Sequence, residues 1–219
     1  METEVTKKRF TVDEYHRMGE AGIIREDDRV ELIDGEILQM SPIGYRHAVC
    51  VNRATTLFIQ GLGDRAVVSP QNPVQLSDWT EPQPDLVVFK PRADFYAKKR
   101  LVPEDILFIV EVADATLSYD RKTKLPRYAA AGVPEVWIAD LQNNLLHVHR
   151  HPSGQTYNAV LTLPPGDAVS PLAFPEITFR VDELLSTDCE DSELLIPSDR
   201  SDRLWEIRVI PKPDKWSQL

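Results

Sequence analysis

Apolar positions along the chain alternate between a helical spacing of three to four residues and a strand spacing of two, and each switch marks an element. Residues 10–22 open with Thr11 and carry Glu14 three positions on, which predicts a capping box and a short helix stopped by Gly19 and Gly22. Residues 30–33 and 36–40 flank Asp34-Gly35, the strongest short-range signal for a two-residue hairpin turn. Residues 45–62 place Val49, Cys50, Ala54, Leu57 and Phe58 at helical spacing before Gly61 and Gly63, predicting a helix.

Residues 66–68, 74–76, 85–89 and 106–112 read as strands, and the last, nearly all apolar, is expected in the middle of the sheet. Residues 120–131 predict a helix capped by Asp120 and stopped by Gly132, with Pro126 kinking it or sitting in its first turn. Residues 136–139 and 145–150 form a second hairpin. This order fits an α/β or α+β fold, a mixed sheet with helices packed on it. Prolines gather at 164–175 and 197–213 and frame a C-terminal region that wraps the body. The expected division is a domain over residues 8–185 and a polar extension over 186–219, in which residues 204–210 look strand-like.

Composition narrows the class. With 42% hydrophobic and 27% charged residues, the chain is neither collagen-like nor wholly disordered. The longest clean apolar run, residues 106–110, is far short of the ~20 residues of a membrane span. The opening residues are charged and lack the apolar core of a secretion signal, so a cytoplasmic protein is expected. Cys50 and Cys189 suggest free thiols rather than a disulfide or zinc site. Against 35 acidic residues stand 25 basic ones, a net charge of -10, which argues against non-specific coating of nucleic acid but not against an enzyme with a local basic rim.

Several residue types sit where packing alone would not put them. A two-residue turn opposes Ile33 to Glu36 and Glu31 to Leu38, so Glu31 and Glu36 share a face while Val30, Leu32 and Ile37 take the other. That face is either solvated or half of a site. Asp85 opens an apolar strand, and Glu111 stands near the end of the most apolar one. A charge in such a place costs several kcal/mol unless it is paired or metal-bound, so the two carboxylates point to one shared site. Hard oxygen donors suit magnesium or manganese. His47 falls in the first turn of the long helix. His147, His149 and His151 alternate on one strand face and are expected to face water. Basic clusters at 90–100 and 121–127 each follow a candidate carboxylate, as a phosphodiester site would need.

These residues occur in a familiar order: Glu31-Leu32-Ile33-Asp34-Gly35-Glu36, Ser41-Pro42 with His47, Pro84-Asp85, Val110-Glu111-Val112, Asp120-Arg121 with Lys124 and Tyr128, then Ala130-Ala131-Gly132-Val133-Pro134-Glu135-Val136-Trp137. Over residues 8–185 the chain resembles the Uma-type restriction endonuclease family of the PD-(D/E)xK nuclease superfamily. The resemblance implies a restriction-endonuclease-like core that binds magnesium or manganese and cuts DNA, with homodimerisation expected and no membrane partner. It implies Asp85 as the acid of the PD element, Glu111 as that of the (D/E)xK element, and the Val112 carbonyl as a further metal ligand. Ala113 occupies the usual lysine position, and the resemblance points to Lys124 in the following helix as its replacement. Glu36 and His47 would complete the site as ligands or water-positioning groups. The competing reading keeps the fold without catalysis, as a domain for DNA binding or protein interaction.

Overall fold

The structure is a computed structural model and describes residues 6–25 and 27–187. Cys189 and the strand-like stretch 204–210 lie outside the described residues. Helix α1 (Val12–Glu20) starts at the predicted capping box: Thr11 Oγ1 accepts the Glu14 N–H, and the Thr11 N–H donates to Glu14 Oε2 at 2.9 Å. Strands β1 (Val30–Ile33) and β2 (Glu36–Gln39) form the hairpin in the predicted register. Asp34 and Gly35 both take positive φ, 50° and 79°, as its tight turn requires. The hairpin makes a small sheet of its own, attached to residue 81 by paired main-chain bonds between Leu32 and Glu81.

Helix α2 (Tyr45–Leu62) has the predicted bounds. The main sheet comprises β3 (Val67–Pro70), β4 (Leu86–Phe89), β5 (Ile106–Ala113), β6 (Glu135–Asp140), β7 (Leu145–Ser153) and β8 (Thr156–Leu163), hydrogen-bonded in that order. Its pairs are antiparallel except β5 with β6. That parallel pair forces a crossover, here α3 (Leu117–Tyr119), a π-helical turn at Asp120–Lys124 and α4 (Leu125–Ala130). The chain ends its described course in a short ribbon, β9 (Ala168–Val169) with β10 (Phe179–Arg180), and helix α5 (Val181–Leu185).

Strand parity divides the core between the two faces of the sheet. Phe108, Val110 and Val112 of β5 pack with Phe58, Trp137, Phe179 and Leu184, on the face covered by α2 and α5. Ile109 and Ala113 join Tyr128, Val133, Val136 and Ile138, on the face covered by α4. Glu111 shares the second face by the same parity. Strand β5 lies centrally, buried almost throughout, as its composition predicted.

Three expectations are corrected. Residues 74–76 do not join the sheet: Val74 forms only an isolated bridge to Leu101, because the turn at 77–80 takes the Leu76 N–H to the Thr80 carbonyl. The helix expected at 120–131 begins before Asp120, which is buried inside it rather than capping it. Pro126 explains the π turn. In a continuous α-helix its ring would clash with the carbonyl four residues back, and widening the preceding turn relieves this, with Leu125 N–H reaching the Asp120 carbonyl. Third, His147 and His149 do not face water; they are 7% and 8% exposed, covered on the crossover side of the sheet, and burial pushes His149 down to about 4. Strand β8 and the β9–β10 ribbon carry a periodicity too weak to predict them.

Gly61 offers a test of how tightly α2 is seated. A Cβ there would stand 2.8 Å from the buried Phe179 ring. Gly61→Ala is expected to lower stability by about 1–3 kcal/mol through overpacking, despite alanine's better helix propensity. A urea midpoint that rises instead would show that Phe179 yields freely.

Candidate active site

Leu86 pairs with Val110, which sets the adjoining Asp85 beside Glu111 at one end of the sheet. The Asp85 N–H donates to Glu111 Oε2 at 3.3 Å, and Asp85 Oδ2 accepts the Val112 N–H at 2.8 Å. Lys124 arrives from the π turn of the crossover. Its Nζ lies 3.2 Å from Glu111 Oε1 and 3.5 Å from Glu31 Oε2, and it donates to the Gln83 carbonyl at 3.2 Å. The widened turn lets Asp120 and Lys124 both point inward; each is 4% exposed. These groups border a cavity of about 710 Å3 that also touches His47, Tyr119 and Lys122.

Two tyrosines fix the carboxylates from behind. The Tyr128 hydroxyl donates to Glu111 Oε1, and the Tyr119 hydroxyl to Glu31 Oε1, each at 2.6 Å. Gln83 N–H donates to the other Glu31 oxygen at 3.0 Å. Asp120 accepts from the Thr116 hydroxyl at 2.7 Å. His47 Nε2 stands 3.0 Å from Asp85 Oδ1, while its buried Nδ1 has no hydrogen-bond partner among the described residues.

Two carboxylates, those of Glu111 and Glu31, thus contact one ammonium, and those of Asp85 and Asp120 add to the negative field around it. Burial alone would push Lys124 down, but Glu111, Glu31, Asp85 and Asp120 together outweigh it and hold the ammonium well above its ordinary range. For Glu111 the balance is opposite: burial pushes it up to about 8, Lys124 pulls it back, and Asp120 and Asp85 add to the rise. Asp120 is pushed up to about 6, again chiefly by burial. The lysine gains from four anions, whereas Glu111 and Asp120 each gain from one cation and suffer from neighbouring carboxylates.

Asp85, Glu111, Lys124 and His47 come together as the sequence implied, with the Val112 main chain beside them. Glu36 does not. Its side chain is half-exposed on the hairpin, bonded to Lys7 Nζ at 3.2 Å, because the turn carries it away from the sheet. The hairpin carboxylate that enters the cavity is Glu31, 2% exposed despite sharing a strand face with Glu36. The basic loop 90–100 is likewise elsewhere. It follows the end of β4 opposite to Asp85, and three of its cations pair away from the cavity: Arg92 with Asp94, Lys99 with Asp105, Arg100 with Asp13.

Residues 12–182 match the family profile of Uma2, described as "putative restriction endonuclease". The chain belongs to the Uma2 family. A solved structure described as a "putative nuclease belonging to DUF820" from Anabaena variabilis shares 19% identity, with a TM-score of 0.66 over 81% of this chain and 98% of its own. At that identity the likeness is one of fold, the restriction-endonuclease-like mixed sheet with flanking helices. No curated protein matches the chain.

Beyond Asp85, Glu111, Lys124 and His47, this Uma2 protein brings Glu31, Asp120, Tyr119 and the Gln83 main chain to the same place. Glu31 left a trace in sequence through the strand face it shares with Glu36, and Asp120 through its place beside Arg121 in the family order; Tyr119 and Gln83 left none. The donor set suits a hard divalent cation: oxygen ligands, a buried surplus of negative charge, and access from the cavity. Among the described residues no three His, Cys, Asp or Glu side chains form a ready metal cage. A cation here would rest on two carboxylates, a carbonyl and water, the sparse protein ligation typical of magnesium.

Removing the shared cation tests this account. Lys124→Met strands Glu111, Glu31 and Asp120 in the interior and is expected to cost about 3–5 kcal/mol at pH 8. A carboxyl whose folded pKa is raised binds extra protons when folded, so stability falls as pH rises through that range. The Lys124→Met deficit should therefore shrink on going from pH 8 to pH 5 in urea denaturation; a deficit independent of pH would contradict the shared-cation arrangement.

Proposed function

We propose that the protein is a magnesium- or manganese-dependent endodeoxyribonuclease, hydrolysing phosphodiester bonds of DNA in the cavity between the first hairpin and the crossover. The observation that carries the reading is the reach of Lys124, whose Nζ lies 3.2 Å from Glu111 Oε1 although Ala113 fills the customary lysine position. In this reading Asp85, Glu111 and the Val112 carbonyl hold the cation. When bound, the metal polarises the scissile phosphate and lowers the pKa of water. Lys124 Nζ orients the attacking water and offsets the charge that develops on the phosphate.

His47 and the Val112 N–H fix the two oxygens of Asp85, while Tyr128 fixes one oxygen of Glu111. Tyr119 and the Gln83 N–H hold Glu31 against the lysine. Such support matters because hydrolysis depends on ligands kept in place by their neighbours. Cleavage of both strands by two copies of the chain, in the cytoplasm, completes the proposal. The extension over 186–219 is assigned no part in the chemistry.

A second reading keeps the fold but not the catalysis, as a DNA-binding or protein-interaction domain. The full engagement of Lys124 by Glu111, Glu31 and the Gln83 carbonyl favours it. Calorimetric titration of magnesium and manganese, with plasmid cleavage on the same samples, separates the two. Asp85→Ala and Glu111→Ala are each expected to abolish metal binding and cutting while the protein stays folded. Metal-free wild type, correctly folded and inert, would establish the silent domain.

Metal affinity should also depend on pH. Because Glu111 and Asp120 sit raised to about 8 and about 6, binding displaces protons and should strengthen between pH 6 and pH 8. Calorimetry in buffers of different ionisation enthalpy measures the release; no proton release would show that neither group is protonated before the metal arrives.

A further inference from the structure

The six-stranded sheet ends on two edges of opposite character. Strand β3 has four residues and closes with Pro70, a short edge of the kind that resists further pairing. Strand β8 runs for eight residues, with no charged side chain and no proline between Thr156 and Leu163. It pairs with β7 on one side, and among the described residues no other main-chain hydrogen bond reaches it. Its outer row of N–H and C=O groups is open.

The side chains repeat the pattern. Val160 is 54% exposed, and Leu161, on the opposite face of the strand, is 40% exposed. A long, uncharged edge with apolar groups on both faces is a template for another strand. The net charge of -10 opposes contact between copies of this chain over the surface at large, yet β8 brings no charge to such a contact. A strongly charged partner would find nothing here to pair with. A second β8 fits. Two copies related by a two-fold axis normal to the sheet at Val160 run antiparallel, with opposed residues on the same face. Val160 then meets the partner's Val160, Ala159 meets the partner's Leu161, and Tyr157 meets the partner's Leu163. Each exposed leucine faces a small residue.

We propose that β8 is a homodimer interface, along which two copies of the chain join antiparallel into one continuous sheet centred on Val160. The assignment supplies a surface for the two-copy cleavage proposed above and rests on that reading for its role. Both crossovers then lie on one side of the joined sheet. The two copies of β5 stand seven strand spacings apart, roughly 34 Å. Sites so placed act at separate points along a DNA rather than across one base pair.

The test is sedimentation velocity of the full chain, from micromolar to a few hundred micromolar, for wild type, Val160→Lys, Val160→Glu and Ile59→Lys. Melting temperatures alongside confirm that each variant is folded. Wild type is expected to dimerise. Val160→Lys and Val160→Glu each set like charges across the two-fold axis and are expected to raise the dimer Kd roughly tenfold or more. Ile59→Lys, at an exposed apolar position of α2, is expected to leave it unchanged. Mixing the two Val160 variants should restore the dimer, because lysine then faces glutamate; a folding defect is not repaired by mixing. Monomeric wild type, a Val160→Lys dimer as tight as wild type, or no restoration on mixing each overturns the interface. Magnesium titration and plasmid cleavage on the same samples keep the readings apart. Metal binding by a monomeric wild type ends the interface alone, and a dimer that neither binds metal nor cuts ends the nuclease reading while the interface stands.

Discussion

One buried lysine, in contact with two carboxylates and in the field of two more, is the constraint around which the rest of this protein is arranged. An ammonium and several carboxylates removed from water survive only if each is closely partnered, and the chain gathers those partners from every part of its length. Glu31 comes from the hairpin, Asp85 and Glu111 from adjacent strands, Asp120 and Lys124 from the crossover, and the Gln83 main chain from the loop before β4. The hairpin, the strands and the crossover are thus tied together by charge as well as, for the strands and crossover, by the apolar core. The residual negative charge is what makes the arrangement suited to a divalent cation rather than merely stable.

The sheet supplies the geometry for this. A parallel β5–β6 pair cannot be joined by a tight turn, so the chain must leave the sheet after Ala113 and return at Glu135. That excursion passes directly over the face on which Glu111 points, and its helical turns carry Lys124 and Tyr128 down onto the same carboxylate. Lys124 thereby reaches Glu111 from above the strand rather than from within it. Ala113, on the same strand face, packs in the core.

Much of this was legible in the sequence because it is local. The capping box at Thr11 and Glu14, the Asp34-Gly35 turn and the run of α2 depend on neighbours a few residues apart. Carboxylates placed against apolar strands at Asp85 and Glu111 announce a cost that only a site would explain. What stayed hidden is non-local. Parity alone cannot distinguish Glu31 from Glu36; the distinction arises because residue 81 pairs beside Leu32 and residue 83 beside Glu31, burying one carboxylate and leaving the other near Lys7. The burial of His147 and His149 depends on what covers the sheet, and the dispersal of the 90–100 cations on which end of β4 they follow. Neither is written in spacing.

The π turn at Asp120–Lys124 ties the length of the crossover to its content. In an ordinary surface helix the loss or gain of one residue rotates the downstream turns by about 100°, and the ends absorb the change. Here such a slip would swing Lys124 off Glu111 and return Pro126 to a clash with the turn before it. Point substitutions can drift across much of this segment, but its residue count between Thr116 and Tyr128 is held fixed by two demands at once. Insertions and deletions among relatives that keep the same site should therefore fall in the loops around the crossover and spare its interior.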